Sequence, residues 1–181
     1  MDTFKIFVVG FFNAGKTSFI QSVSEIDLAV VEASEIAALG FGRLTLSSEI
    51  VLYLFVHPPG LRMERTFEYL GKRGLLLSET GFVLIMNSAY PDVDRENAHF
   101  LQYIQSFNRP YVVALSKQDL PNARTPQQMR EILAIPDDIK VLGYDLKDPS
   151  STKKVVLALL ELMPQDEITQ QIIEGLKAKI E

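Results

Sequence analysis

The stretch from Gly10 to Thr17, GFFNAGKT, constrains this chain more than any other. It has the pattern Gly-x4-Gly-Lys-Thr and directly follows the largely apolar run Phe4-Lys5-Ile6-Phe7-Val8-Val9. A phosphate cradle needs this arrangement. A strand aims the loop, the glycines let its N–H groups converge, and the next helix points its positive dipole end at the anion. Thr17 to Val23 contains no Gly or Pro, as such a helix requires. The bland reading is a glycine-rich turn at the end of a buried strand. The flanking strand and helix favour the phosphate loop.

With 181 residues, 47% of them hydrophobic, the chain suits one well-buried domain rather than two. It has no Cys, which excludes disulfides, cysteine zinc sites and thiolate chemistry. No run approaches the ~20 apolar residues of a membrane span. Asp2 stands where a myristoylation signal needs glycine, and the first apolar run lacks signal-peptide flanks. These features predict a cytoplasmic protein without membrane partners. The net charge of −5, with no long basic run, likewise argues against nucleic acid as a partner.

Apolar runs bounded by turn signals predict strands at 4–9, 42–47, 50–56, 81–87, 110–116 and 139–144. The short break Ser47-Ser48-Glu49 suits an antiparallel hairpin, and the remaining intervals fit crossover helices near 64–78, 94–107, 125–134 and 151–163. Thr125-Pro126 reads as a helix cap followed by Pro at the first helical position. The expected fold is therefore α/β, with about six strands, mostly parallel and one antiparallel, and helices on both faces.

Val112-Val113-Ala114-Leu115-Ser116-Lys117-Gln118-Asp119 is a buried-strand pattern ending in Ser-Lys-x-Asp. Together with the loop at Gly10 it resembles the Ras-like small GTPases, whose guanine motif is Asn-Lys-x-Asp. A carboxylate accepts two hydrogen bonds from the N1–H and N2–H2 edge of guanine, an edge that adenine lacks. Phe41 to Leu46, Val51 to Phe55, Lys117 to Ala123 and Asp145-Leu146-Lys147 are most similar to the bacterial and archaeal branch, which includes the gliding-motility GTPases. The resemblance covers nearly all of residues 3–163. It implies a three-layer P-loop G domain over 1–163, followed by an extension at 164–181.

The same resemblance assigns phosphate contacts to Gly10, Asn13, Ala14, Gly15, Lys16, Thr17 and Ser18, with Thr17 as the Mg²⁺ ligand. It assigns the guanine base to Ser116, Lys117, Asp119, Leu146 and Lys147. Two of these depart from the family pattern. Ser116 is shorter than the Asn that ties the base loop to the phosphate loop, and Leu146 is bulkier than the usual Ala.

The segments that sense the third phosphate depart further. The expected switch I Thr pair falls on Glu35-Ile36, with Ser34 as a substitute only if the loop slips. Switch II reads Val56-His57-Pro58-Pro59-Gly60-Leu61, and both registers of the comparison lose the catalytic Gln. The Pro-Pro pair also removes backbone donors. Arg43, Arg62, Arg65 and Arg73 are arginine-finger candidates by position alone. Beyond Pro164, apolar residues at 168, 172, 173, 176 and 180 predict an amphipathic helix, laid on its own domain or forming a self-association seam.

Three functions fit, in this order. The first is a GDP- or GTP-binding interaction module with little or no hydrolysis. The second is a working switch whose partner supplies the catalytic group; the resemblance implies a regulator of roadblock fold. The third is a nucleotide-free scaffold, which leaves the intact Lys16-Thr17 unexplained.

Overall fold

The computed structural model describes residues 2–33, 36–56, 63–72 and 80–180. Its centre is a sheet in which each strand pairs as the hydrophobic pattern requires. Strands β1 (Asp2–Val9), β4 (Ile50–Val56), β5 (Thr80–Asn87), β6 (Tyr111–Ser116) and β7 (Val141–Gly143) run parallel. Strand β3 (Ile36–Thr45) is antiparallel to β4, and the edge strand β2 (Ala29–Ala33) is antiparallel to β3. The seven strands lie in the order β2-β3-β4-β1-β5-β6-β7.

The hairpin between β3 and β4 closes at Ser47, whose hydroxyl accepts from the N–H groups of Glu49 and Ile50 at 3.3 and 3.2 Å. The strand count is one above the six expected. The difference is β2, which lies within the stretch read as a switch loop, and β3 starts before residue 42 for a related reason given below.

Every residue of β5 and β6 is buried. That is the signature of parallel strands covered on both faces. One face packs Phe4, Ile6 and Val8 of β1 against helices α1 (Lys16–Val23) and α5 (Pro149–Leu160). The other packs Phe7 and Val9 against α2 (Met63–Lys72), α3 (Asp94–Gln105) and α4 (Pro126–Leu133). The second face is aromatic. Phe67 meets Phe7, Phe82 and Phe107 with ring centroids 5.6, 5.5 and 5.2 Å apart.

Helix α6 (Glu167–Lys177) starts at Asp166, whose carboxylate accepts from the Thr169 N–H at 2.7 Å. Its Ile172, Ile173 and Leu176 enter the same core as α1 and α5. Ile168 is 38% exposed, the outward member of the predicted stripe.

This topology places the candidate residues. From β1 the chain goes to the far edge at β2, returns inward through β3 to β4 beside β1, and then crosses to β5 on the other side, so successive parts of the sheet lie on opposite sides of β1. In open α/β sheets, the crevice at the carboxyl ends of the strands at such a reversal is where ligands bind. The ends of β1, β5, β6 and β7 all open there.

Candidate functional site

The loop after β1 takes its shape from glycine. Gly10 has φ +148°, and a Cβ on it would stand 2.2 Å from the carbonyl oxygen of Ile85 on β5. No other residue fits between those backbones. Asn13 (φ +59°) and Gly15 (φ +101°) complete the bend, and the Ala14 N–H donates to the Phe11 carbonyl at 3.3 Å. Gly15 precedes α1, and no side chain caps that helix. The first-turn N–H groups of Lys16, Thr17 and Ser18 therefore remain available on the loop side.

The Lys16 ammonium curls over this loop and donates to the carbonyls of Gly10 and Phe11, both at 2.9 Å. Burial lowers its pKa to about 8. A partly desolvated cation of this kind gains from an anionic partner. Thr17 is exposed on the first turn, and Phe12, at the tip, is 72% exposed.

The second wall grows from β6. Ser116 ends the strand, 3% exposed, and its hydroxyl donates back to the Met86 carbonyl at 3.3 Å. Lys117 turns the chain with φ +60°, and its ammonium lies 5.8 Å from the centroid of the Tyr90 ring, a cation–π distance. The loop that follows is braced by side chains. Gln118 donates to the Ser88 hydroxyl at 2.7 Å and to the Arg124 carbonyl at 3.0 Å. Asn122 donates to the Ala89 carbonyl at 2.7 Å, and Arg124 donates to both carboxylate oxygens of Asp94 at 2.7 Å. These bonds hold Asp119 at the rim with its carboxylate exposed.

The third wall follows β7. The Asp145 carboxylate accepts from the Lys147 N–H at 2.9 Å, and its backbone N–H donates to the Ser151 hydroxyl at 3.0 Å. Leu146 projects from this turn, 44% exposed. Tyr144, just before it, is 4% exposed and stands edge-on to Phe19 of α1, ring centroids 5.2 Å apart. Burial pushes its phenol pKa well up, against a smaller lowering by Ser116.

The three walls enclose one cleft of about 300 Å³. Asn13, Ala14, Gly15 and Ser18 line one side. Ser116, Lys117, Asp119, Leu146 and Lys147 line the other, joined by Tyr144 and Asp145. Gly10, Lys16 and Thr17 belong to the loop but not to this lining. Tyr144, Tyr90 and the Gln118, Asn122 and Arg124 brace were missed from sequence. A Tyr beside a truncated Ser116 was the available signal for the first. Nothing in the sequence pairs Arg124 with Asp94.

Among the described residues no cluster of three or more His, Asp or Glu can hold a metal. Of the arginine candidates, Arg43 pairs with Glu25 at 3.2 Å and Arg65 is exposed. Ser34, Glu35, His57, Pro58, Pro59, Gly60, Leu61, Arg62 and Arg73 lie outside the described residues. No described helix is long and apolar enough to cross a membrane.

Sheet order, phosphate-type loop and base-side loops together define the fold of a P-loop G domain. The G domain of the FeoB iron transporter of T. maritima superposes with a TM-score of 0.64, covering 88% of this chain and 98% of that one at 15% identity. Among sequences, translation initiation factor IF-2 of Gluconacetobacter diazotrophicus is 28% identical over 157 residues, covering 85% of this chain. The chain spans only 17% of that factor's length. GTPase Der of Dechloromonas aromatica is 28% identical over 144 residues, 73% of this chain and 31% of that protein. An uncharacterised protein of Methanocaldococcus jannaschii, MJ1339, is 26% identical over 127 residues, 70% of this chain and 77% of its own length. No family model matches the sequence.

Proposed function

We propose that the protein binds GDP or GTP in this cleft and works as a Ras-like protein-interaction module with little or no hydrolysis of its own. One observation carries the reading. The cleft joins the loop residues Asn13, Ala14, Gly15 and Ser18 to Asp119 and to Leu146-Lys147, groups from three distant chain segments that suit a phosphate at one end and a guanine edge at the other. Kinship in sequence with GTPase Der and IF-2 supports the same assignment.

The residues present suit a nucleotide phosphate. The Gly10 cradle admits no side chain, α1 has no side-chain cap, and Lys16 is a partly buried cation. Mg²⁺ would be held by the Thr17 hydroxyl together with nucleotide oxygens, and would neutralise charge on the phosphates. Residues 1–163 form the nucleotide-binding body in this reading, with 164–181 as its extension. A regulatory protein, of roadblock fold by resemblance, is the proposed partner.

The hydrolysis part rests on sequence. Turnover needs a water held in line and charge stabilised at the third phosphate. This chain has Glu35-Ile36 where the family has its Thr pair, and lacks the Gln in both registers around Gly60. The nucleotide carried through native purification should be GDP or GTP. Labelled GDP should be displaced by GTP and not by ATP, and equal displacement by both would defeat the guanine assignment. Turnover by the protein alone should be negligible, and Leu61→Gln should not restore it. Measurable turnover without a partner would favour a working switch.

A further inference from the structure

Tyr144 carries a hydroxyl that the arrangement so far does not use. The residue is 4% exposed, and its oxygen makes no hydrogen bond within the described residues. A buried donor without an acceptor is destabilising. An orphan of this kind calls for a partner.

Its position says which. The oxygen lies 3.4 Å from the point where a Gly15 Cβ would stand, and the Ser116 Cβ and Oγ lie 3.8 and 4.0 Å from the same point. The phenol thus reaches the floor of the cleft, where the phosphate loop meets the base-side strand. Ser116 is its polar neighbour, yet the Ser116 hydrogen is directed inward to the Met86 carbonyl. Of the two hydroxyls at the floor, Ser116 bonds the Met86 carbonyl, and the Tyr144 oxygen has no partner at hydrogen-bond distance and angle among the described residues. On guanine the N7 and O6 edge adjoins the N1–H and N2–H2 edge, so a base held by Asp119 at the rim can present N7 and O6 toward that floor.

We propose that Tyr144 is a base-contacting specificity residue, its hydroxyl donating to the N7/O6 edge of the bound purine and supplying from β7 the reach that Ser116 lacks. The inference rests on the guanine-nucleotide reading above. It adds to that reading a residue from a strand end that the base motif does not include. A ring anchored edge-on against Phe19 holds the donor in place.

The test uses the full chain and three ligands: GDP, 7-deaza-GDP, which lacks the N7 acceptor, and 6-thio-GDP, whose sulfur accepts poorly. Both analogues keep the edge that Asp119 reads. The parent protein should bind at least one analogue about five- to tenfold more weakly than GDP, as expected for one lost hydrogen bond. Tyr144→Phe should bind GDP about five- to tenfold more weakly than the parent and no longer discriminate against that analogue. Unchanged GDP affinity in Tyr144→Phe overturns the inference while leaving the nucleotide reading intact. So does equal weakening toward all three ligands, which marks a purely structural role. If the variant does not fold, the parent decides: equal affinity for GDP and both analogues overturns it. A parent that binds none of the three overturns both readings.

Discussion

The loop wall of the cleft and its base-side walls are built by different means. The phosphate wall is backbone: a loop bent through Gly10, Asn13 and Gly15, wedged against the Ile85 carbonyl and closed by the Lys16 ammonium on its own carbonyls. The base wall is side chains: Gln118, Asn122 and Arg124 reach Ser88, Ala89 and Asp94 to hold the turn that presents Asp119. A wall made of backbone tolerates few substitutions but needs few residues. A wall made of side chains can change residue by residue, and Ser116 and Leu146 are where this one departs from the resembled pattern.

Breaking the phosphate wall should have the largest effect. Lys16→Ala removes the loop's cation, and GDP, GTP and ADP should all lose at least about a hundredfold in affinity by titration calorimetry, since a charge-assisted contact to phosphate is lost whatever the base. GDP binding at parental affinity would show that the loop is a relic. Gly10→Ala comes next. The backbone conformation alone costs about 1–3 kcal/mol for a residue with a Cβ, and the 2.2 Å approach to Ile85 requires β1 and β5 to part. Its denaturant midpoint should fall together with its nucleotide affinity. A midpoint at the parental value would contradict the tight packing described here.

Changes in the base wall should be smaller and selective. Asp119→Ala should lower affinity for GDP about tenfold to a hundredfold while leaving ADP nearly unchanged, because the lost bonds are to an edge only guanine has. Parallel loss for both ligands would mean that Asp119 acts through the fold. Arg124→Met should be mildest. Its ion pair with Asp94 is mostly buried, at 21% and 26% side-chain exposure, and its loss should cost about 1 kcal/mol of stability. A severalfold weaker preference for GDP over ADP should accompany that loss. Unchanged preference with lowered stability would confine the brace to folding.

Much of the fold is legible in the sequence because its central strands are continuous apolar runs. Strands β4 and β6 fall within the runs that predict them, β1 and β5 begin two residues and one residue before theirs, and Thr125 forms the expected cap, accepting from the Gln128 N–H at 3.2 Å. The start of β3 is not legible, since Gly40 and Gly42 dilute its pattern. The reason is close approach. A Cβ at Gly42 would stand 2.5 Å from Ile20 Cγ2, so α1 crosses the strand where no side chain intervenes. Among the described strands, β2 pairs with that same β3 alone.

The loop from Gly10 to Thr17 was legible in the sequence alone, because the strand, the two glycines and the helix start that shape it are contiguous. The tertiary structure decided what faces it. Tyr144, Ser116 and Gly15 meet only because β7 lies beside β6 at the strand ends, and whether a tyrosine there is buried filler or a donor in a cleft depends on which oxygen lies within reach. Periodicity reports which side of an element is apolar. It carries no information about which atoms from separate elements converge, and that convergence is what gives the base wall its chemistry.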